Sequence, residues 1–297
     1  MVHLNDNRIK ELEKKAGEIR ISIIESLISA GSGHTAGPLG MADIFTLLYF
    51  EVLKHNPKKP FWEDRDRLVL SNGHICPVLY ATMAHANYFP LSELKTLRSL
   101  GSRLQGHPHR EFLPGIETSS GPLGSGLSQA VGMALAERLD NKQSNKYFYC
   151  LMGDGELNCG QIWEAVMLAG KEKLYNLISI VDRNGIQIDG FTKDVMPLEP
   201  LMDKFKSFNW HTIEVDGHNI SAIYEAIGEA QSVYGQPSVI IAHTIPGKGV
   251  PEFERDFRWH GAPPGKGPED VVPKGEQGTL ALNTLRSLKG KIKGENE

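Results

Sequence analysis

Cysteine is scarce in this sequence, with three residues in 297. Cys76, Cys150 and Cys159 form neither a C-x-x-C pair nor a metal-finger spacing, which excludes a disulfide framework and a structural zinc site as the basis of the fold. A reducing cytoplasm is the expected compartment. Long apolar runs are missing as well. No segment reaches the roughly 18 apolar residues that a membrane-spanning helix needs, and residues 1–13 are mostly polar or charged rather than an apolar signal core, so neither secretion nor membrane insertion is expected. Charge of one sign is nowhere concentrated. The net charge of −4 comes from interspersed acids and bases, leaving no basic face for nucleic acid or a membrane surface. Repeats at a fixed period and low-complexity tracts are absent too. What is present is a chain 40% hydrophobic and 23% charged, enough for one large core, so a single domain over residues 1–297 with small-molecule partners is expected.

Periodicity supplies the elements. Ile9, Leu12, Ala16, Ile19, Ile23 and Leu27 recur at three- and four-residue spacing and predict a helix from Asn5 to Ala30 that stops at Gly31. The glycine-rich stretch from Gly31 to Gly40 reads as a loop, and Met41 to Leu53 as a second helix ended by Asn56-Pro57. Five short apolar runs, Arg67 to Leu70, Tyr147 to Met152, Leu177 to Val181, Thr212 to Val215 and Val239 to Ala242, alternate with helical patterns. That alternation predicts an α/β fold, a mostly parallel sheet with helices on both faces. Polar or glycine-rich residues follow several runs at once, and in open α/β sheets such loops converge on one crevice beyond the carboxyl ends of the strands. Residues 246–273, rich in Gly and Pro, read as a functional loop too long to be a simple connection. Residues 276–297 read as a short helix and a basic tail, either solvated or touching a partner.

The most informative run is Gly153-Asp154-Gly155-Glu156, set between a strand and the helical pattern Gln161 to Lys171. Glycines let the backbone approach an anion, a following helix offers free amides to a diphosphate, and Asp154 supplies a hard carboxylate oxygen. The next strand ends in Asp182-Arg183-Asn184-Gly185-Ile186, one strand away in space. Magnesium takes one or two protein oxygens and completes its octahedron with phosphate and water, so Asp154, Asn184 and the carbonyl of Ile186 form a candidate metal site. Oxygen ligands leave calcium and manganese open as alternatives.

A lone Gly-Asp-Gly is more often a turn. Followed about 30 residues later by Asn at a strand end, it resembles the thiamine-diphosphate signature shared by transketolases, deoxyxylulose-phosphate synthases and 2-oxo-acid dehydrogenases. Ser32-Gly33-His34 with Gly37 to Ala42, Leu70 to His74, Gly101-Ser102-Arg103 leading to Gly106-His107-Pro108, Thr118 to Gly126, and Lys248-Gly249 followed by Trp259-His260-Gly261 resemble loops of the transketolase family in particular. The resemblance implies transfer of a two-carbon ketol unit from a ketose phosphate to an aldose, with thiamine diphosphate carrying the hard step. It places His34, His107 and His260 at the sugar and the cofactor against His74, Gly121, Pro122, Leu123, Gly155, Glu156, Asn184, Ile188 and His260. Imidazoles suit such work because they exchange protons near neutral pH. One departure stands out: Cys159 occupies a position where the family usually carries glutamate, within an acidic network between paired sites.

Transketolases generally have roughly twice this length. The missing portion includes the pyrimidine-binding domain, whose glutamate activates the cofactor, and most groups that grip the substrate phosphate. The resemblance therefore implies that the partner is a C-terminal transketolase subunit, with two copies of each chain and active sites between them. Two other readings stay open: a split enzyme for an unusual ketose, apiose-derived or sulfonated, and a non-catalytic thiamine-diphosphate-binding regulator.

Overall fold

The computed structural model describes residues 3–141 and 144–288. Helix α1, Asp6–Ala30, opens on Asn5, whose side chain accepts from the Arg8 amide, and closes on Gly31 at φ 58°, whose amide donates to Leu27 O. Both ends thus satisfy backbone groups that a helix leaves unpaired. Next come α2, Ala36–Gly40, α3, Ala42–Leu47, with a π-turn over Leu48–Val52, and β1, Arg67–Leu70. Then follow α4, Cys76–His85, α5, Ser125–Asp140, β2, Phe148–Gly153, α6, Gly160–Glu172, and β3, Leu177–Arg183. A two-residue-per-strand hairpin, β4, Ile186–Gln187, and β5, Gly190–Phe191, precedes α7, Thr192–Val195, and α8, Leu201–Ser207. The chain ends on β6, His211–Asp216, α9, Ile220–Ser232, β7, Ser238–His243, and α10, Lys274–Leu288.

Five strands form one sheet in the order β1-β2-β3-β7-β6, every pair parallel. Strand alternation divides the core. Tyr149 and Leu151 of β2 face one apolar cluster with residues of α1, α3, α4 and α9, while Phe148, Cys150 and Met152 face a second with residues of α5, α6 and α8. Burial on both faces is why these strands read as continuous apolar runs instead of alternating ones. All five expected strands form, each within a few residues of its expected ends.

Three expectations change. Residues 36–40 are helical, not loop: a Cβ on Gly37 would lie 2.8 Å from Ile75 Cγ2, and one on Gly40 3.0 Å from Ile245 O. These glycines allow close packing rather than a turn. The expected helix from Met41 to Leu53 keeps α-helical geometry only as far as Leu47 and widens there, with Leu53 N donating to Leu48 O at 2.8 Å, a π-type insertion. The C-terminal helix is docked on the core along one face. Ala281 and Leu285 of α10 join the core beside α1, and Gln277, fully buried, accepts from Gly265 N and Gly267 N while donating to Pro268 O and Val272 O. It thereby fastens the end of the 246–273 loop, and residues 289–297 lie outside the described ones.

Candidate active site

The polar turns that follow β1, β2 and β3 meet beyond the carboxyl ends of the strands around a cavity of about 110 Å³. Nine of the expected site residues line it: His74, Leu123, Asp154, Gly155, Glu156, Asn184, Ile186, Ile188 and His260. Gly121 and Pro122 sit on the adjoining loop, and His34 and His107 above it.

Asp154 is buried, and three donors fix its carboxylate: Gly155 N at 2.7 Å on Oδ1, and Gly185 N at 2.7 Å and Arg183 Nη1 at 2.8 Å on Oδ2. Burial pushes this carboxyl upward, and the guanidinium and the two amides hold it against that rise. An ionised carboxylate has about four acceptor positions, so the set leaves room for one more ligand. Asn184 is oriented as strictly. Its Nδ2 donates to Asp182 Oδ2 at 2.7 Å and its Oδ1 accepts from Ile186 N at 3.0 Å, which turns the amide oxygen toward the hairpin turn. Asp182 in turn is held by Thr244 Oγ1, and burial pushes it up to about 7. Among the described residues no three acidic, histidine or cysteine side chains cluster as metal ligands. The donor set of one carboxylate, one amide and one carbonyl fits a hard ion whose remaining ligands are phosphate and water.

Glu156 lines the cavity, but its carboxylate faces protein donors. It accepts from Ser71 Oγ, from Gly124 N at 2.6 Å and from Gly153 N at 3.1 Å, tying together the turns after β1, before α5 and after β2. Gly124, at φ 87°, is where only glycine fits, since a Cβ there would lie 2.7 Å from Cys159 Cβ. The helix expected from Gln161 begins at Gly160, with a 3-10 turn over Gly155–Asn158 between it and Asp154.

Three imidazoles converge from three separate loops. The rings of His34 and His74 lie 4.9 Å apart, those of His74 and His260 5.1 Å, and those of His34 and His260 5.5 Å edge to face. Burial pushes His34 and His260 down to about 4, with neighbouring imidazoles adding to the shift at His34. Burial also holds His74 well below the ordinary value. His107 stands exposed at the rim against Gly121, and partial burial and then Arg98 lower it as well. All four are therefore neutral at physiological pH, each offering one donor and one acceptor.

Buried polar atoms without partners mark where a ligand belongs. His34 Nδ1, His260 Nδ1, both amide atoms of Asn72 and Gln187 Nε2 lack one. Asn72 and Gln187 line the cavity and are the residues sequence reasoning missed. Asn72 falls within the Leu70 to His74 run, and its place just beyond a strand end is the signal that could have found it. Gln187 lies in the hairpin, too short to show a period.

These protonation states predict acid sensitivity in the cofactor-free chain. Unfolded, the histidines take up protons below about 6.5, while folded His34 and His260 do so only near 4. Their contribution to stability is therefore full above about 6.5 and lost as pH falls toward 4, by up to about 3 kcal/mol for each ring, against an opposite contribution from Asp182, which takes up its proton near 7 when folded. Thermal melts between pH 7.5 and 4.5 should show the double variant His34→Asn, His260→Asn losing less stability toward acid than the wild type; an equal slope in both would contradict the assignment.

Sheet, crevice and donor set together define an α/β protein with a hard-oxygen site beside a group of neutral imidazoles. The family described as transketolase, thiamine diphosphate binding domain, matches residues 12–274. The 6-deoxy-6-sulfo-D-fructose transketolase subunit SqwG of Clostridium sp. (strain MSTE9) is 44% identical over 250 residues, covering 84% of this chain and 90% of that protein. An apulose-4-phosphate transketolase subunit of Phocaeicola vulgatus is 38% identical over 289 residues, covering 97% and 99%. Transketolase 2 of Escherichia coli is 44% identical over 261 residues, but this chain spans only 39% of it. The transketolase structure from Leishmania mexicana superposes with a TM-score of 0.81 at 35% identity, over 95% of this chain and 45% of that one. The chain belongs to the transketolase family, as its thiamine-diphosphate-binding portion. No helix among the described residues is long and apolar enough to cross a membrane.

Proposed function

We propose that this chain is the N-terminal subunit of a two-chain transketolase, which moves a two-carbon ketol unit from a ketose phosphate to an aldose phosphate. The observation that carries the reading is the joining, in one crevice, of an oriented Asp154–Asn184 oxygen pair and three neutral histidines from separate loops. Asp154, Asn184 Oδ1 and the Ile186 carbonyl hold magnesium, and His74, the 121–124 loop, Gly155, Ile188 and His260 hold the diphosphate. When bound, thiamine diphosphate supplies the carbon nucleophile for carbon–carbon cleavage. His34 and His260 hydrogen-bond the sugar oxygens through neutral imidazole and exclude water by their burial, and His107 meets the incoming sugar at the rim. Residues 1–297 act as one domain, with the 246–273 loop presenting His260. The partner is a C-terminal transketolase subunit, in an assembly of two copies of each chain acting in the cytoplasm, within the pentose phosphate pathway when the donor is xylulose 5-phosphate.

A second reading concerns the ketose. Two subunit-sized relatives, matched over 90% and 99% of their lengths, are named for a sulfonated fructose and for apulose phosphate, so an unusual ketose is the specific alternative. The test is to purify the chain with its native partner and assay transfer to an aldose phosphate from xylulose 5-phosphate, a sulfonated ketose and an apulose phosphate, with thiamine diphosphate and magnesium. Turnover of one donor fixes the reading; a partner complex inactive on all three overturns it. In that assay His107→Ala should cost about 10²-fold in turnover, the usual scale of a proton-handling or positioning group, with cofactor affinity intact. A purely regulatory binder would be indifferent to the change.

A further inference from the structure

Arg20, Asp43, His218 and Lys248, none of which lines the cavity, are buried together, each 6% exposed or less. Arg20 Nη1 and Nη2 donate to the two Asp43 oxygens at 3.0 and 2.6 Å, and its Nε donates to Leu39 O at 3.0 Å. His218 Nε2 accepts from Ile245 N at 2.7 Å, so the ring carries its proton on Nδ1 and donates it to Asp43 Oδ2 at 2.8 Å. The imidazole is thus a bridge with a defined direction, from a main-chain amide on one side to a buried carboxylate on the other. Lys248 faces the same group within electrostatic range of Arg20 and Asp43.

What the bridge joins gives it a purpose. Asp43 belongs to α3, which follows directly on α2 and the His34 loop. Ile245 begins the long segment that carries His260. The two segments touch again along their length. Ile245 O packs on Gly40 with no room for a Cβ, and Gly247 N donates to Ala36 O at 2.9 Å. At the far end, Thr35 Oγ1 donates to Ala262 O at 2.6 Å. His34 precedes Thr35, and His260 lies two residues before Ala262. Both imidazoles therefore ride on segments pinned to each other at two ends.

We propose that Arg20, Asp43 and His218 form a positioning unit that sets the spacing of His34 and His260. This rests on the reading of those two histidines as sugar-facing groups. His218 holds Ile245, whose neighbour Thr244 supports Asp182 behind Asn184, and His260 faces both sugar and diphosphate in the proposed function. The direct readout of the unit is therefore the His34–His260 spacing, and sugar use and cofactor affinity both follow from it.

Removing Asp43 would strand a buried guanidinium, so His218 is the better probe. His218→Phe keeps a ring and loses both hydrogen bonds, whereas His218→Gln keeps one donor and one acceptor. In the two-chain enzyme with thiamine diphosphate and magnesium, His218→Phe should lower kcat/KM for the ketose by roughly 10- to 100-fold, the effect of misplacing groups by about an ångström. Because His260 also faces the diphosphate, affinity for thiamine diphosphate should fall with it, and His218→Gln should restore most of both losses. In crystals of the chain, the His34–His260 ring separation should exceed 5.5 Å in His218→Phe and return to it in His218→Gln. Where His218→Phe fails to fold, Thr35→Val, which removes only the far tie, carries the same expectation. Unchanged spacing in His218→Phe overturns the proposal, whether or not kcat/KM falls. A wild-type complex inactive on every ketose would defeat the functional reading instead, and the ring spacing would still decide this one.

Discussion

Asp154→Ala should abolish metal-dependent cofactor binding while the chain still folds. Asp154 is the one carboxylate in the donor set, and neither Asn184 nor the Ile186 carbonyl carries charge to replace it. Loss of even an outer group around a metal costs about 10- to 100-fold in affinity, so losing the charged ligand itself should exceed that. Folding survives because the counter-ion is not stranded: Arg183 keeps Thr192 Oγ1 at 2.9 Å and Glu199 at 2.9 Å. The amides of Gly155 and Gly185 do lose their acceptor, a destabilisation of about 1–3 kcal/mol for each amide left unsatisfied. Titration calorimetry with thiamine diphosphate, with and without magnesium, beside a thermal melt, separates the two effects. Asp154→Asn should bind nearly as poorly, because it keeps the shape and lacks the charge. A folded Asp154→Ala protein with undiminished affinity would remove the metal assignment.

The chain on its own should transfer ketol groups at least about 10³-fold more slowly than with its partner, since the group that activates the cofactor contributes on the scale of a general acid or base. The structure gives this expectation a location. Ile188 is 62% exposed and Leu123 39%, although both line the cavity, and Phe191, Val195 and Met196 expose apolar surface on the neighbouring hairpin and α7. One wall of the crevice is thus open to solvent and apolar, which weakens every hydrogen bond made inside. Adding the partner to a fixed amount of this chain should raise activity to a plateau. A chain that reached the full rate alone would contradict the two-subunit reading.

Much of this was legible in the sequence because the features involved are local. Gly153-Asp154-Gly155 and Asn184 stand at strand ends, and strand ends follow from apolar runs. The four histidines and their common site were implied by resemblance, whereas no local pattern shows it, since His34 and His260 are brought together by contacts over more than 200 positions, such as Thr35 with Ala262. Gly37 and Gly40 misled for a physical reason: glycine marks both a turn, as at Gly31, and a close approach of backbones, and only the neighbours Ile75 and Ile245 distinguish the two. The Arg20–Asp43–His218 group left no trace in any pattern. Its members are 23 and 175 positions apart and each looks like an ordinary surface residue in its own segment.

The Glu156 carboxylate ties a turn at the metal donors to a turn before α5 and to the one holding Asn72. Such a tie makes the crevice thermodynamically indivisible. Under the proposed reading, a diphosphate and metal that fixed the 153–155 turn would lower the entropy still to be lost when the 121–124 loop meets the rest of the cofactor. Coupling of this kind is reciprocal, so a partner surface that steadied the 121–124 loop would be expected to tighten metal binding by the factor by which the metal tightens the partner.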